Sequence, residues 1–203
     1  MAALLDSQTL EELQKLYSAE DRKYHSLEHI NSLLSLLQEH KDLFEDPEAV
    51  EAAIWFHDAI YDAKATDNEA RSAQLALERL NGSESLIEPG RIQRICTMIE
   101  ATATHKVPEF PEERFVSDAE MFLDMDLSIL GAEKGIFANY EAAVRQEYAW
   151  VSDDEWRKGR AAVLTSFLER PYIFYSRVFR DELEQRAREN ISSSLEKLDL
   201  RGE

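Results

Sequence analysis

The stretch AAIWFHDAI, residues 52–60, constrains the chain more than any other. A helix this apolar on every side must be enclosed by other elements, so its His57 and Asp58 are carried into the interior with it. The i±3 and i±4 neighbours of the pair include Ala53, Ile54, Trp55, Ile60 and Tyr61. Burying that much polarity without a partner costs on the order of 2–7 kcal/mol. A metal ion or a charge partner is therefore expected beside His57 and Asp58.

The rest of the sequence supplies helices to enclose it. Asp46-Pro47 reads as an N-cap followed by proline at the first helical position, opening a helix that runs to about Ile60. Leu10, Leu13 and Leu16 recur at helical spacing, and Leu27, Ile30, Leu34 and Leu37 form a second stripe. Thr66 and Glu69 fit a capping box for a helix through Leu80 that Asn81-Gly82 would stop, and Ser152 with Glu155 fits another, for a helix ending before Pro171. Further helices are predicted near 88–104, 117–130, 134–149 and 180–198, with loops at 61–66, 81–88, 106–116 and 171–176. The signals from about Ala161 to Phe179 are mixed and leave the helix ends there open. The expected fold is all-α, a single domain over 1–203.

Composition narrows the function. With only 6 Gly and 5 Pro in 203 residues, long helices are favoured over a turn-rich sheet protein. The single cysteine, Cys96, excludes an intramolecular disulfide framework and is expected to be buried. No apolar run approaches the roughly 20 residues of a membrane span, and the N-terminal residues lack a secretory pattern. A cytoplasmic location is the expectation. The net charge of −18 opposes binding to nucleic-acid polymers or anionic membranes. A small anionic substrate would need a local source of positive charge, and a divalent cation is one.

The five histidines are His25, His29, His40, His57 and His105. On a helix, His25 and His29 share a face, as two groups converging on one metal would, although a capping or surface pair has the same spacing. In DAEMFLDMDLSILG, Asp126 has Phe122, Leu123, Ile129 and Leu130 at i±3 and i±4, a carboxylate on an apolar face. Asp124, set among Glu120, Met121, Leu127 and Ser128, is expected to be solvated, and Asp118 to serve the helix start. Imidazoles and carboxylates from separate helices suit a first-row divalent metal with open positions. Such an ion orients a phosphate oxygen and lowers the pKa of a bound water. Hydrolysis of a phosphoester follows from that chemistry.

YHSLEHI, WFHDAIYD and DMDLSILG, in that order, resemble the His, His-Asp, Asp pattern of HD-domain metal-dependent phosphohydrolases, especially a bacterial branch of unassigned substrate. The likeness extends to DNEARSA at 67–73, IEATATH at 99–105 and RKGRAAVL at 157–164. The resemblance implies a compact helical bundle with its metal-site core at about 20–132 and a C-terminal helical extension at about 133–203. It implies His29, His57, Asp58 and Asp126 as metal ligands, Asp58 as a catalytic group, and His25 and His105 as substrate-binding, supporting or second-metal residues. The sequence departs from the nucleotidase branches, where a carboxylate follows closely after the His-Asp pair. The nearest here is Asp62, four residues after Asp58, which stands as the candidate to orient a water or protonate a leaving oxygen. Asp62 also has a loop or capping reading, and Glu69 is accounted for by its capping box. The metal, Mn, Mg, Fe, Co, Ni or Zn, and its number, one or two, stay open, as does homo-oligomerisation.

Arg22, Lys23, Lys64, Arg71, Lys106, Arg145 and Arg160 are expected to be mostly solvated, though each has the chemistry to clamp a phosphate. Tyr24 and Tyr61 stand near the proposed ligands, while Trp55 is expected in the core. Three functions compete: a hydrolase of a small phosphorylated metabolite, nucleotides included; a di-iron oxygenase of the same fold; and a non-enzymatic module that binds metal or nucleotide.

Overall fold

The computed structural model describes residues 4–81 and 87–200, and among them every regular element is helical. Nine α-helices follow one another there: α1 (Ser7–Tyr17), α2 (Leu27–Glu39), α3 (Pro47–Phe56), α4 (Asn68–Asn81), α5 (Pro89–Ala101), α6 (Val116–Leu127), α7 (Lys134–Glu147), α8 (Asp153–Leu168) and α9 (Arg177–Leu200). Among the described residues, no helix is long and apolar enough to cross a membrane. By internal contacts the chain divides into two compact units, Met1–Met125 and Asp126–Glu203.

In the first unit α3 is the central helix. Ala52 to Phe56 are all buried, and α2 and α5 pack against it, with α4 packed on α5. The start of α3 is pinned as its sequence demands: Pro47 occupies the first turn and the Asp46 carboxylate accepts the Ala49 N–H at 3.1 Å. Arg91 and Arg94 of α5 both reach the same carboxylate. Burial works against the Asp46 charge, but these guanidiniums and the Ala49 N–H outweigh it and hold the carboxyl below its ordinary value. Asp118, expected to serve its own helix, instead accepts the backbone N–H groups of Glu45 and Asp46 at 2.9 and 2.8 Å. Its carboxyl is pushed up by burial, with those two bonds opposing.

Two helix limits differ from the sequence reading. The helix expected to reach Ile60 ends at Phe56, because long-range partners take over the backbone from there. Tyr17 Oη accepts the Asp58 N–H, and the Arg22 guanidinium donates to the carbonyls of Asp58 and Ala59. The expected Thr66–Glu69 capping box is not where α4 begins; the helix opens at Asn68, whose buried side-chain amide bonds both the N–H and the C=O of Asp62. Gly82, the expected stop for α4, lies outside the described residues. Cys96 is buried, and burial pushes its thiol up to about 11.

In the second unit α8 packs on α9. The capping box at Ser152 forms, its hydroxyl accepting the Glu155 N–H and donating to the Glu155 carboxylate. Gly131, just beyond α6, is required by close approach: a Cβ there would stand 2.6 Å from Leu183 Cβ. The freed carbonyls of Leu130 and Ala132 accept the Asn190 side-chain amide of α9.

Candidate metal centre

The early end of α3 gives His57 its orientation. As the C-cap, it turns its ring back so that Nδ1 lies 2.8 Å from the Ile54 carbonyl. A carbonyl only accepts, so Nδ1 carries a proton and Nε2 is the ring atom turned to the remaining groups of the site. That Nε2 is 3.1 Å from Asp58 Oδ2 and 3.3 Å from His29 Nε2. Acceptor groups this close to one another in a buried place need a proton or a cation among them.

Asp126 supplies the carboxylate. One ligand atom from each of His29, His57 and Asp126 lies within 4.8 Å of the others, and among the described residues this is the one such group of three. The unit boundary falls inside α6, between Met125 and Asp126, but the helix is continuous, so α6 itself carries Asp126 to this position. Both imidazoles are buried and Asp126 is half-buried. Two imidazoles and a carboxylate, one with its remote nitrogen fixed by a backbone carbonyl, are a donor set that a divalent metal fits. Asp58 stands beside the group through its contact with His57.

The two neighbouring aspartates reverse the expected burial. Asp124, expected to be solvated, is wholly buried, whereas Asp126 is not. Met121 to Met125 are all buried, more than a full turn, so α6 is enclosed on every side there and comparing faces loses its meaning. No described buried side-chain nitrogen or oxygen lacks a partner, Asp124 included.

Around His29 the structure gathers most of the remaining candidates. Tyr24 lies 4.9 Å from the His29 ring, centroid to centroid, and His25 stacks on Tyr61 at 4.3 Å. Phe122 closes on the His57 ring edge-on at 5.9 Å. Trp55 is in the core, as expected. Beyond the end of α5, the His105 N–H bonds the Ala101 carbonyl and its φ of 47° is left-handed. The Asp62 carboxylate accepts the Lys64 N–H in a tight turn. Arg71 is half-exposed, 3.8 Å from Asp67 one helical turn away.

Arg22 is the residue whose role the sequence did not disclose. Expected on the surface, it is buried, donates to the carbonyls of His25, Asp58 and Ala59, and lies over the rings of Tyr17 and Tyr61. It joins the segment before α2 to the segment after α3, the two that flank His29 and His57. A cation two residues before Tyr24-His25 was its only signal. Arg160 and Arg145, also expected to be solvated, hold structure in the second unit. Arg160 is buried on Glu141 and Tyr140, and Arg145 bonds the Tyr148 and Val151 carbonyls and Asp153.

Comparison with protein-family models, with curated proteins and with solved structures returns no match.

Proposed function

We propose that this chain is a metal-dependent hydrolase of a small phosphorylated metabolite, working in the manner of the HD-domain phosphohydrolases that its motifs resemble. The observation that carries the reading is the meeting of His29, His57 and Asp126 donor atoms within 4.8 Å in a largely buried place. These three residues would hold the ion, with Asp58 at its side. A divalent cation bound there supplies Lewis acidity and a water that ionises near neutral pH.

The protein's own groups have separate tasks in this reading. The Ile54 carbonyl keeps the proton on His57 Nδ1, so Nε2 stays a ligand. Asp58, partly exposed beside His57, is placed to accept a proton from an attacking water. Asp62 has a turn-forming bond that accounts for it, which leaves Asp58 as the stronger base. Tyr24, His25 and Tyr61 offer aromatic surface for a base or sugar next to His29.

A direct test is elemental analysis of the purified chain, followed by a metal-replete assay against nucleotides and sugar phosphates, with Asp126→Ala and Asp58→Ala for comparison. The reading expects about one divalent ion per chain and phosphate release that both variants lose. A native protein that turns over no compound in the panel overturns it.

Two imidazoles and one carboxylate also match the ligand set of non-haem iron oxygenases. Oxygen consumption by the iron-loaded protein, in the absence of phosphate release, would favour that second reading. The di-iron form would further require two irons per chain.

A further inference from the structure

We propose that the cavity formed by α7, α8 and α9 is a second binding site, one that takes a small organic anion: a phosphate, sulfonate or carboxylate head on a flat apolar body. Its volume is about 530 Å³, and every residue lining it belongs to the second unit. That volume falls within the roughly 300–1,000 Å³ typical of small-molecule sites. The proposal is independent of the metal centre.

The sign of the charge identifies the ligand. In a chain of net charge −18, this cavity is lined by Lys134, Arg145, Arg157 and Lys197 against only Glu141 and Asp153. Both acids already have partners. Glu141 accepts from Arg160 and from Ser194 at 2.6 Å, and Asp153 is bonded by Arg145 at 2.7 Å. The side chains of Lys134 and Lys197, by contrast, are in no hydrogen bond or ion pair among the described residues. Two ammonium groups from different helices thus face one cavity with their charge uncompensated, while Arg157 is paired with Asp154. An anion placed there gains two cationic neighbours, Lys134 and Lys197, without breaking an internal ion pair of the cavity wall.

The apolar requirement comes from the wall. Phe137 is buried at the cavity, and Trp156 is held against Tyr148 at 5.5 Å with the Arg145 guanidinium over its ring at 5.4 Å. An indole fixed in this way offers a preformed flat surface, so an aromatic or heterocyclic body stacks without first ordering the site.

The probe for this site is 1-anilino-8-naphthalenesulfonate, which carries a sulfonate on a flat apolar body. The full chain would be titrated at neutral pH and low salt, alongside K134E/K197E and the milder K134Q/K197Q, with thermal melts confirming that each is folded. One probe molecule per chain is expected, with affinity reduced at least tenfold in K134E/K197E, less in K134Q/K197Q, and falling with added salt. Stripping metal with a chelator should leave the affinity unchanged, so a failed hydrolase reading and a failed anion site are told apart. Equal affinity in the native chain and both lysine variants overturns the proposal. So does loss of probe binding as the protein dimerises in sedimentation, because a second copy would then be filling the cavity.

Discussion

Each unit buries charge-bearing groups, and it disposes of them differently. In the second unit Arg160 donates to Tyr140 and Glu141, and Glu141 also accepts Ser194, so donors and acceptors match within the fold. Burial opposes the guanidinium charge, yet Tyr140 and Glu141 outweigh it and hold Arg160 above its ordinary pKa. In the first unit the groups converge instead. His57 Nε2 stands 3.1 Å from Asp58 Oδ2 and 3.3 Å from His29 Nε2. Burial alone therefore does not mark a functional group. Convergence of metal-ligating atoms from separate elements does, because imidazole nitrogens and carboxylate oxygens gathered in one place are the donor set a divalent cation takes.

The sharpest way to break this comparison is to remove a member of each set. His57→Ala is expected to bring bound metal and phosphate release to background, with a folded protein by circular dichroism. Retained metal content would show that the imidazoles are merely packed. Arg160→Met is expected to do the reverse. It leaves Glu141 without its main partner and should cost about 3–5 kcal/mol in a denaturant melt, as breaking a buried pair does, with metal stoichiometry unchanged. Adding Glu141→Leu should restore much of that loss. If Arg160→Met also empties the metal centre, the two sets are one network and the contrast fails.

The helices were largely legible because their evidence is local. The stripe at Ile30 and Leu37, the Asp46-Pro47 start and the Ser152 box depend on residues within a turn or two, and each appears in the fold. His29, His57 and Asp126 were legible as residue types at helical positions, and the structure brings their donor atoms together. What stayed hidden depends on contacts distant in sequence. The stop at Phe56 is made by Tyr17 and Arg22, about 40 residues away. The burial of Asp124 comes from α6 being enclosed on all sides, which i±3 and i±4 neighbours do not report. Asp118 bonds a segment more than 70 residues earlier. Side chains that satisfy remote backbone groups leave no periodic trace.

Smaller effects sharpen the same contrast by loosening supports instead of ligands. Arg22→Met removes the donor to three carbonyls at His25, Asp58 and Ala59. It is expected to weaken metal affinity about 10–100-fold, the range for residues that orient ligands, while stoichiometry at saturating metal is kept. A competition titration against a chelating dye would measure it, and an unchanged affinity would reduce Arg22 to a loop brace. Asp118→Ala strands the Glu45 and Asp46 N–H groups ahead of α3 and should cost about 1–3 kcal/mol in a thermal or urea melt. The second unit has its own clamp of this kind, the Glu184 carboxylate on the Ile173 and Phe174 N–H groups, which Asp118→Ala leaves in place, so probe binding at the α7–α9 cavity should stay intact.

The smallest effect is a pH dependence at the same helix start. Asp46 has a folded pKa below its ordinary value of 3.8, so its contribution is present above that value and is lost as the pH falls through the depressed folded value. Asp118 has the opposite sign. Its pKa is raised by burial, so what it adds is fullest in acid and is lost as the pH rises through the folded value. The two carboxyls, a few ångströms apart through the Asp46 N–H, therefore oppose each other across the acid range. Asp46→Asn is expected to flatten the fall in stability below about pH 4, where the unfolded carboxyl begins to protonate. Asp118→Asn is expected to steepen the same limb, because it removes the one group of the pair that acid favours. Urea midpoints from pH 2.5 to 6 would separate them, and parallel curves for both variants would mean that the helix start is held by geometry and not by charge.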